Sequence, residues 1–108
     1  MTPGLRWGSV WLVDLPGGYG RRPAVVVTRD VVLPFLSNAT VVPITSTVRG
    51  IPTEVALGPA DGVRDGSVAS CDNVSTIPQR TLVRPLGQVG PGAARELRVA
   101  IRTALDLD

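Results

Sequence analysis

Short apolar runs, rich in β-branched residues and separated by glycine and proline, make up most of this chain. Runs of this kind between turn residues predict β-strands. The continuous run after Arg22 is predicted to be a central strand with Pro23 at its first position, because proline cannot donate to a sheet ladder. The predicted strands are Arg6–Leu15, Pro23–Thr28, Ala39–Ile44, Thr53–Leu57, Ser67–Cys71 and Thr81–Val89.

The apolar period changes from strand-like to helical near the C-terminus. Pro91 suits the first position of a helix. The three arginines at 95, 98 and 102 lie off the apolar stripe and form a basic flank. We expect the helix to pack its stripe on the sheet. The stripe consists of Ala93, Leu97, Ala100, Ile101, Ala104 and Leu105.

Length and composition indicate one domain over residues 1–108, since 108 residues with 44% hydrophobic content suit a single core. There is no apolar stretch long enough for a membrane span, so no membrane association is expected. Met1–Trp7 lacks the apolar run of a secretory signal. Cys71 is the single cysteine, so an intrachain disulfide is impossible. A cytoplasmic protein is the simplest interpretation.

The absence of histidine excludes Ser-His-Asp catalysis and histidine-pair RNA cleavage. One cysteine cannot build a zinc site, and there is no phosphate loop ending in Gly-Lys-Ser/Thr. The sequence therefore predicts no metal and no cofactor. All 11 basic residues are arginine, against 9 acidic ones, for a net charge of +2. This mild excess fits a nucleic-acid partner and an ordinary small protein equally well.

Polar residues at the ends of two predicted strands are the best candidates for chemistry. Arg21 and Arg22 precede one strand, and the hydroxyls of Thr45, Ser46 and Thr47 follow another. Arginine presents a planar fork of donors that matches phosphate oxygens, so this pair of segments can handle a phosphate. Two plainer interpretations stay open: Arg22 could pair with a carboxylate at a sheet edge, and Thr45 could cap a turn.

Other residues have weaker signals. Tyr19 is the only tyrosine and lies in a Gly-rich loop, where its ring could stack on a base. Asp72 is expected to organise a turn, which leaves Asn73 to contact a ligand. Trp11 is expected in the core or at a dimer interface, and the thiol of Cys71 is expected to be buried and inert.

Five segments in order along the chain resemble the MazF/PemK-type toxins. Val42–Val55, which contains Pro-Ile-Thr-Ser-Thr and Arg-Gly-Ile-Pro-Thr-Glu, is the most diagnostic of them. Together they cover nearly the whole chain. The other four are Arg6–Leu15, Gly20–Asp30, Ser67–Val74 and Leu82–Gly87.

This resemblance implies a mainly β fold, a small SH3-like, partly open barrel of the MazF/CcdB type with a C-terminal helix. It implies a homodimer that cleaves single-stranded RNA at specific sequences without a metal, and that a cognate antitoxin neutralises. The family's catalytic arginine and threonine correspond to Arg22 and Thr45. Its RNA-contacting loops correspond to Gly17–Arg21 and Ser46–Arg49. Some members carry an acidic residue in the first loop, and Gly17–Gly20 has none.

The candidate residues suit RNA cleavage by the RNA's own 2′-hydroxyl, a group that DNA lacks. Arg22 would stabilise phosphate charge, and Thr45 would orient the 2′-hydroxyl or hold a phosphate oxygen. A groove lined by Arg21, Arg22 and Arg49 would attract RNA and also an acidic, flexible antitoxin tail. Two alternatives remain: a non-catalytic or protein-targeting toxin, like the gyrase-directed CcdB type, and a degenerate member kept only for dimerisation.

Overall fold

The computed structural model describes residues 4–15, 17–18 and 20–107. These residues form seven strands and one α-helix, with short 3-10 turns at Leu33–Phe35, Pro59–Asp61, Cys71–Asn73 and Gln79–Thr81. The strands are β1 (Ser9–Leu15), β2 (Gly20–Val26), β3 (Asn38–Thr45), β4 (Glu54–Leu57), β5 (Ser67–Ser70), β6 (Ser75–Pro78) and β7 (Leu82–Gln88), and the helix is α1 (Pro91–Ala104).

The strands form one antiparallel sheet in the order β4-β5-β3-β2-β1-β7. Strand β3 connects the parts of the sheet. It pairs with β2 along one edge, with β6 over its first half, and with β5 at its last two residues. Register shifts in the β1–β7 ladder bend the sheet, as bulges do. The two ends of this order, β4 and β7, are not paired with each other, so the structure is the predicted partly open, mainly β fold.

The apolar residues fall into two layers because successive side chains of a strand point to opposite faces. Val10, Val25 and Val42 lie in the layer that also contains Leu97 and Ala100 of α1. This confirms the predicted helix packing, although Leu105 lies just past the helix and is half exposed. Val13 and Val26 lie in the other layer, together with Trp11.

Trp11 is only 3% exposed, so this chain covers it without a partner. The indole N–H of Trp11 donates to Ser9 Oγ at 3.1 Å, which satisfies its one polar atom. One residue of the basic flank of α1 makes a cation–π contact, since the guanidinium of Arg98 lies 4.0 Å from the centre of the Trp7 ring.

No helix among the described residues is long and apolar enough to cross a membrane.

Three strand predictions were wrong in detail. Strand β1 begins at Ser9, three residues after the predicted start at Arg6. Strand β2 begins at Gly20, three residues before Pro23. Pro23 is tolerated inside it because the β3 ladder starts only at Ala24, so the missing N–H faces an unpaired stretch on that side. Strand β6 was not predicted. Pro78, assigned to a turn, ends β6 opposite Asn38.

A backbone contact narrows the opening between the ends of the sheet. The turn at Asp61–Gly62 packs directly on Leu86 and Gly87 of β7, where a Cβ on Gly62 would collide with the Leu86 carbonyl. The Asp61 carboxylate fixes this turn by accepting from the Gly58 amide at 3.0 Å and the Gly90 amide at 3.1 Å. Gly90 is the N-cap of α1, so one carboxylate ties the turn to the start of the helix.

Candidate RNA-binding and catalytic site

The register of β2 and β3 puts Arg22 and Thr45 on the same face of the sheet. The ladder pairs Ala24 with Pro43 and continues to Val26 and Val41. Because side chains alternate along a strand, Arg22 lies on the face of Ala24, and Thr45 lies on the matching face of Pro43. Arg22 is exposed and Thr45 is half-buried. The two strands are neighbours, as the sequence interpretation required, and the meeting of the two side chains at one rim stays a prediction.

Thr45 lines a pocket of about 170 Å³. Its lining brings together strand β3, the loop that follows it, the start of β4 and the end of β5. Four of the predicted site residues line it: Thr45, Thr47, Arg49 and Asn73. Three residues that were not predicted as site residues, Pro43, Glu54 and Ser70, complete it.

The hydroxyl of Thr45 combines a structural and a chemical capacity. Its Oγ1 accepts a hydrogen bond from the Thr47 amide at 3.1 Å, which is the turn-capping role that the sequence left open. A threonine hydroxyl is also a donor, and this bond uses only an acceptor lone pair. The O–H of Thr45 can therefore still donate to a phosphate oxygen in the pocket.

The carboxylate of Glu54 organises the loop between β3 and β4. It accepts from the backbone amides of Arg49 at 3.0 Å, Gly50 at 2.8 Å and Ile51 at 3.4 Å. Partial burial raises the pKa of Glu54, but these amide bonds and the Arg49 charge outweigh it and lower the pKa below its usual value. Glu54 is therefore a charged group at neutral pH, with that charge met by N–H donors.

Asn73 enters the pocket from the turn after β5. Its Nδ2 donates to Ser70 Oγ at 3.0 Å, which leaves the side-chain oxygen Oδ1 and the second N–H of the side-chain amide for a ligand. Asp72 accepts from Thr53 Oγ1 at 2.7 Å and so ties this turn to the start of β4. Asp72 therefore holds the turn through a side-chain hydrogen bond, and a ligand contact by Asn73 stays a prediction.

Comparison with known proteins identifies the family. Residues 6–105 match the profile of the PemK-like, MazF-like toxins of type II toxin–antitoxin systems. The chain belongs to this family. Endoribonuclease MazF3 of Mycobacterium tuberculosis (strain CDC 1551) is 47% identical over 87 residues, which are 81% of this chain and 84% of that protein.

Solved structures of the PemK/MazF family have the same fold. The Mycobacterium tuberculosis toxin MazF-mt6 is 42% identical with a TM-score of 0.85, over 93% of this chain and 98% of that one. An endoribonuclease in complex with its cognate antitoxin, from a mycobacterial species, is 34% identical with a TM-score of 0.87, over 96% and 97%. The family resemblance and fold class predicted from the sequence are confirmed.

Arg21, Arg22 and Ser46, all predicted from the family resemblance, are not among the residues that line the pocket. Arg21 is opposite Asp14 on β1, and strand alternation puts it on the other face from Arg22. The structure therefore does not place Arg21 in one groove with Arg22 and Arg49. Ser46 is exposed and is not part of the lining, and Tyr19 lies outside the described residues.

Cys71 is fully buried beside the pocket, in the core. Burial and the nearby Asp72 charge raise the pKa of its thiol to about 11, so the neutral thiol dominates at physiological pH. This agrees with the predicted inert cysteine. Among the described residues, no group of three or more Cys, Asp or Glu side chains is arranged to hold a metal ion.

Proposed function

We propose that this chain is the toxin of a type II toxin–antitoxin pair, a cytoplasmic endoribonuclease that cuts single-stranded RNA at specific sequences without a metal and so inhibits translation and growth. The observation that carries this is the position of Thr45, which lines a pocket of mostly polar residues on the same face of the sheet as Arg22, in a family with relatives named endoribonucleases. The gyrase-directed alternative has no such support.

The reaction uses the substrate's own nucleophile. The 2′-oxygen attacks the adjacent phosphorus, and the bond from phosphorus to the 5′-oxygen breaks. The 2′-hydroxyl gives up its proton, and the departing 5′-oxygen gains one. The products carry a 2′,3′-cyclic phosphate and a 5′-hydroxyl, so atoms and charges balance with no other reactant.

Arg22 is assigned to the non-bridging phosphate oxygens, where negative charge grows in the transition state. Its guanidinium can donate two parallel bonds there, and a pre-placed donor of this kind contributes about 3–4 kcal/mol. Arg22 does not act as the base, because the pKa of arginine exceeds about 12. Thr45 donates to a phosphate oxygen or orients the 2′-hydroxyl.

Recognition of RNA is assigned to the pocket and its borders. Arg49 supplies a phosphate contact, while Thr47 and Asn73 present hydrogen-bonding groups to a base edge. Such edges are free only where the RNA is unpaired, which is why we propose a single-stranded substrate. Tyr19, Arg21 and Ser46 flank this region in sequence and are retained as candidate RNA contacts.

The proposed partners follow from the family. One of the similar structures is an endoribonuclease with its cognate antitoxin, and we extend that partnership to this chain. The antitoxin would present an acidic, flexible tail to the arginines of the site. We also propose that the toxin acts as a homodimer.

The decisive experiment is to incubate the purified chain with mixed RNA in EDTA and to map the cut ends. Cleavage at a short consensus sequence with cyclic-phosphate and 5′-hydroxyl ends would support the proposal. Cleavage that EDTA abolishes and magnesium restores would contradict the metal-free mechanism. Intact RNA together with inhibited gyrase would favour the protein-targeting alternative.

A further inference from the structure

The loop between β3 and β4 carries Thr47 and Arg49 but has little packing of its own. Every residue from Ser46 to Pro52 is exposed. Its conformation therefore depends on hydrogen bonds more than on apolar burial. The Glu54 amide donates to the Ile51 carbonyl at 3.1 Å, and the Glu54 carboxylate accepts the three amides described above. One residue thus fixes the second half of the loop.

The backbone of this loop is shaped to surround an anion. Gly50 has a positive φ of 74°, a conformation that glycine adopts freely. This lets consecutive amides at Arg49, Gly50 and Ile51 converge on one carboxylate, as in the backbone concavities that bind anions. Here the anion is the carboxylate of Glu54, which lies on the pocket wall. By binding the Arg49 amide, it sets the position of the Arg49 backbone beside the pocket.

We infer that Glu54 is a positioning residue for RNA recognition: its carboxylate holds the second half of the loop so that Arg49 faces the pocket. This role rests on the proposed function. Glu54 is not assigned to the chemistry. Thr45 is anchored separately by strand pairing with Val68 of β5 and does not need the loop.

Electrostatics alone makes the opposite prediction, and this gives a sharp test. RNA is a polyanion, so removing a negative charge from the pocket wall should strengthen its binding. If Glu54 positions the loop, neutralising it should weaken binding instead, because Arg49 is no longer held towards the phosphate. The sign of the change distinguishes the two effects.

The experiment measures the affinity of a non-cleavable oligonucleotide, made by placing 2′-deoxyribose at a mapped cleavage site. We expect Glu54→Gln to weaken binding about 10-fold, the loss of about one charge-assisted contact. The slope of log affinity against log salt should fall by about 0.7, the value of one phosphate contact on a single strand. For cleavage, KM should rise about 10-fold while kcat stays within about twofold of wild type. The lost contact stabilises the bound substrate and the transition state equally, so its loss does not change the barrier of the chemical step.

Three further variants test whether the position of the Glu54 carboxylate, and not its charge alone, sets the RNA affinity. Glu54→Asp keeps the charge but shortens the side chain, so we expect it to weaken binding as well. Glu96→Gln is the matched control, since Glu96 is the only other glutamate and lies exposed on α1. It should bind RNA like wild type. In an Arg49→Ala background, Glu54→Gln should have little additional effect, because the contact that it supports is already gone.

Unchanged or tighter RNA binding by Glu54→Gln, with a wild-type unfolding temperature, would overturn this inference. A wild-type chain that neither binds nor cuts RNA would instead overturn the proposed function, and this role with it. Amide hydrogen exchange separates the two failures. Faster exchange at Arg49, Gly50 and Ile51 in Glu54→Gln would show that Glu54 holds the loop whatever the loop binds.

Discussion

Ala24 of β2 is paired with Pro43 of β3, and this register puts Arg22 and Thr45 on the same face of the sheet. A slip of one residue would send every side chain of one strand to the opposite face. Arg22 would then leave the face that carries the pocket. The buried neighbours Val25 and Val42 oppose each other and lie in the helix-covered layer, so a slip would also expose core residues. The stability of the core therefore enforces the geometry of the site.

We expect Arg22→Ala and Thr45→Val each to reduce kcat by about 10²–10³, the usual loss for one donor to a charged transition state. Neither side chain is fully buried, so both variants should unfold near the wild-type temperature. Arg22→Lys should recover little, because an ammonium lacks the bidentate fork. Thr45→Ser keeps the hydroxyl and should retain most of the rate.

Single-turnover cleavage of a labelled RNA is the measurement, with Arg84→Ala as the control. Arg84 is also an exposed strand arginine, but it lies on β7, beyond β1 from the site. A wild-type rate in either Arg22→Ala or Thr45→Val would remove that residue from the mechanism. A large fall in unfolding temperature would instead assign it a structural role.

Much of the site could be predicted from the sequence, and the exceptions have physical reasons. Thr45, Thr47, Arg49 and Asn73 converge because strand ends and the following turns meet at one rim. Arg21 was grouped with Arg22 because β2 was expected to begin at Pro23. Once β2 includes both arginines, alternation sends them to opposite faces.

The sequence contains no pattern that predicts the loop-holding role of Glu54 or the strand β6. Glu54 bonds backbone amides, and these converge only after the loop has adopted its positive φ at Gly50. Strand β6 has one buried residue, Ile77, and ends in proline, so its four-residue pattern resembles a turn. It becomes a strand because β3 offers it an edge. Tertiary pairing here overrides local preference.

The contact between Gly62 and β7 gives a stability prediction. Gly62→Ala would place a methyl group against the Leu86 carbonyl and also require a strained φ of 93°. Gly66→Ala is the matched control: its φ is 81°, but no atom lies within 4 Å of the added Cβ. We expect Gly66→Ala to cost about 1–2 kcal/mol and Gly62→Ala about 1–3 kcal/mol more.

Thermal unfolding of the two variants measures this difference. About 1 kcal/mol corresponds to about 4–8 °C in a domain of roughly this size. Equal unfolding temperatures for Gly62→Ala and Gly66→Ala would mean that the turn moves away from β7 without loss, and that the sheet does not depend on this contact.

We predict that the chain forms a homodimer, as the family resemblance implies. Trp11 does not contribute to this argument, because the chain buries it. The exposed apolar side chains are elsewhere, with Phe35 at 85% and Val99 at 63% exposure. Surface of this kind is often covered by a partner. Sedimentation equilibrium at micromolar concentration should give twice the chain mass of 11.3 kDa. A monomer mass under these conditions would count against the prediction.

The last prediction concerns the antitoxin. Arg49 lies between Val48 and Ile51, which are 55% and 37% exposed, so the loop offers a charge flanked by apolar surface. An acidic, partly apolar tail could pair with Arg49 and also pack on Val48 and Ile51, whereas RNA phosphates interact mainly with the Arg49 charge. We therefore expect the tail and RNA to compete, and the affinity of the tail to fall less steeply with salt than that of RNA.

Competition between a non-cleavable RNA and the antitoxin, most simply the product of an adjacent reading frame, tests this shared site. Arg49→Ala should weaken both ligands. Val48→Ser should weaken the antitoxin several-fold and leave the salt slope of RNA binding unchanged, because it removes apolar burial without touching the charge. If RNA and antitoxin bound one dimer site together without weakening each other, the shared site would be wrong. Inhibition would then have to act through a change in the toxin's conformation.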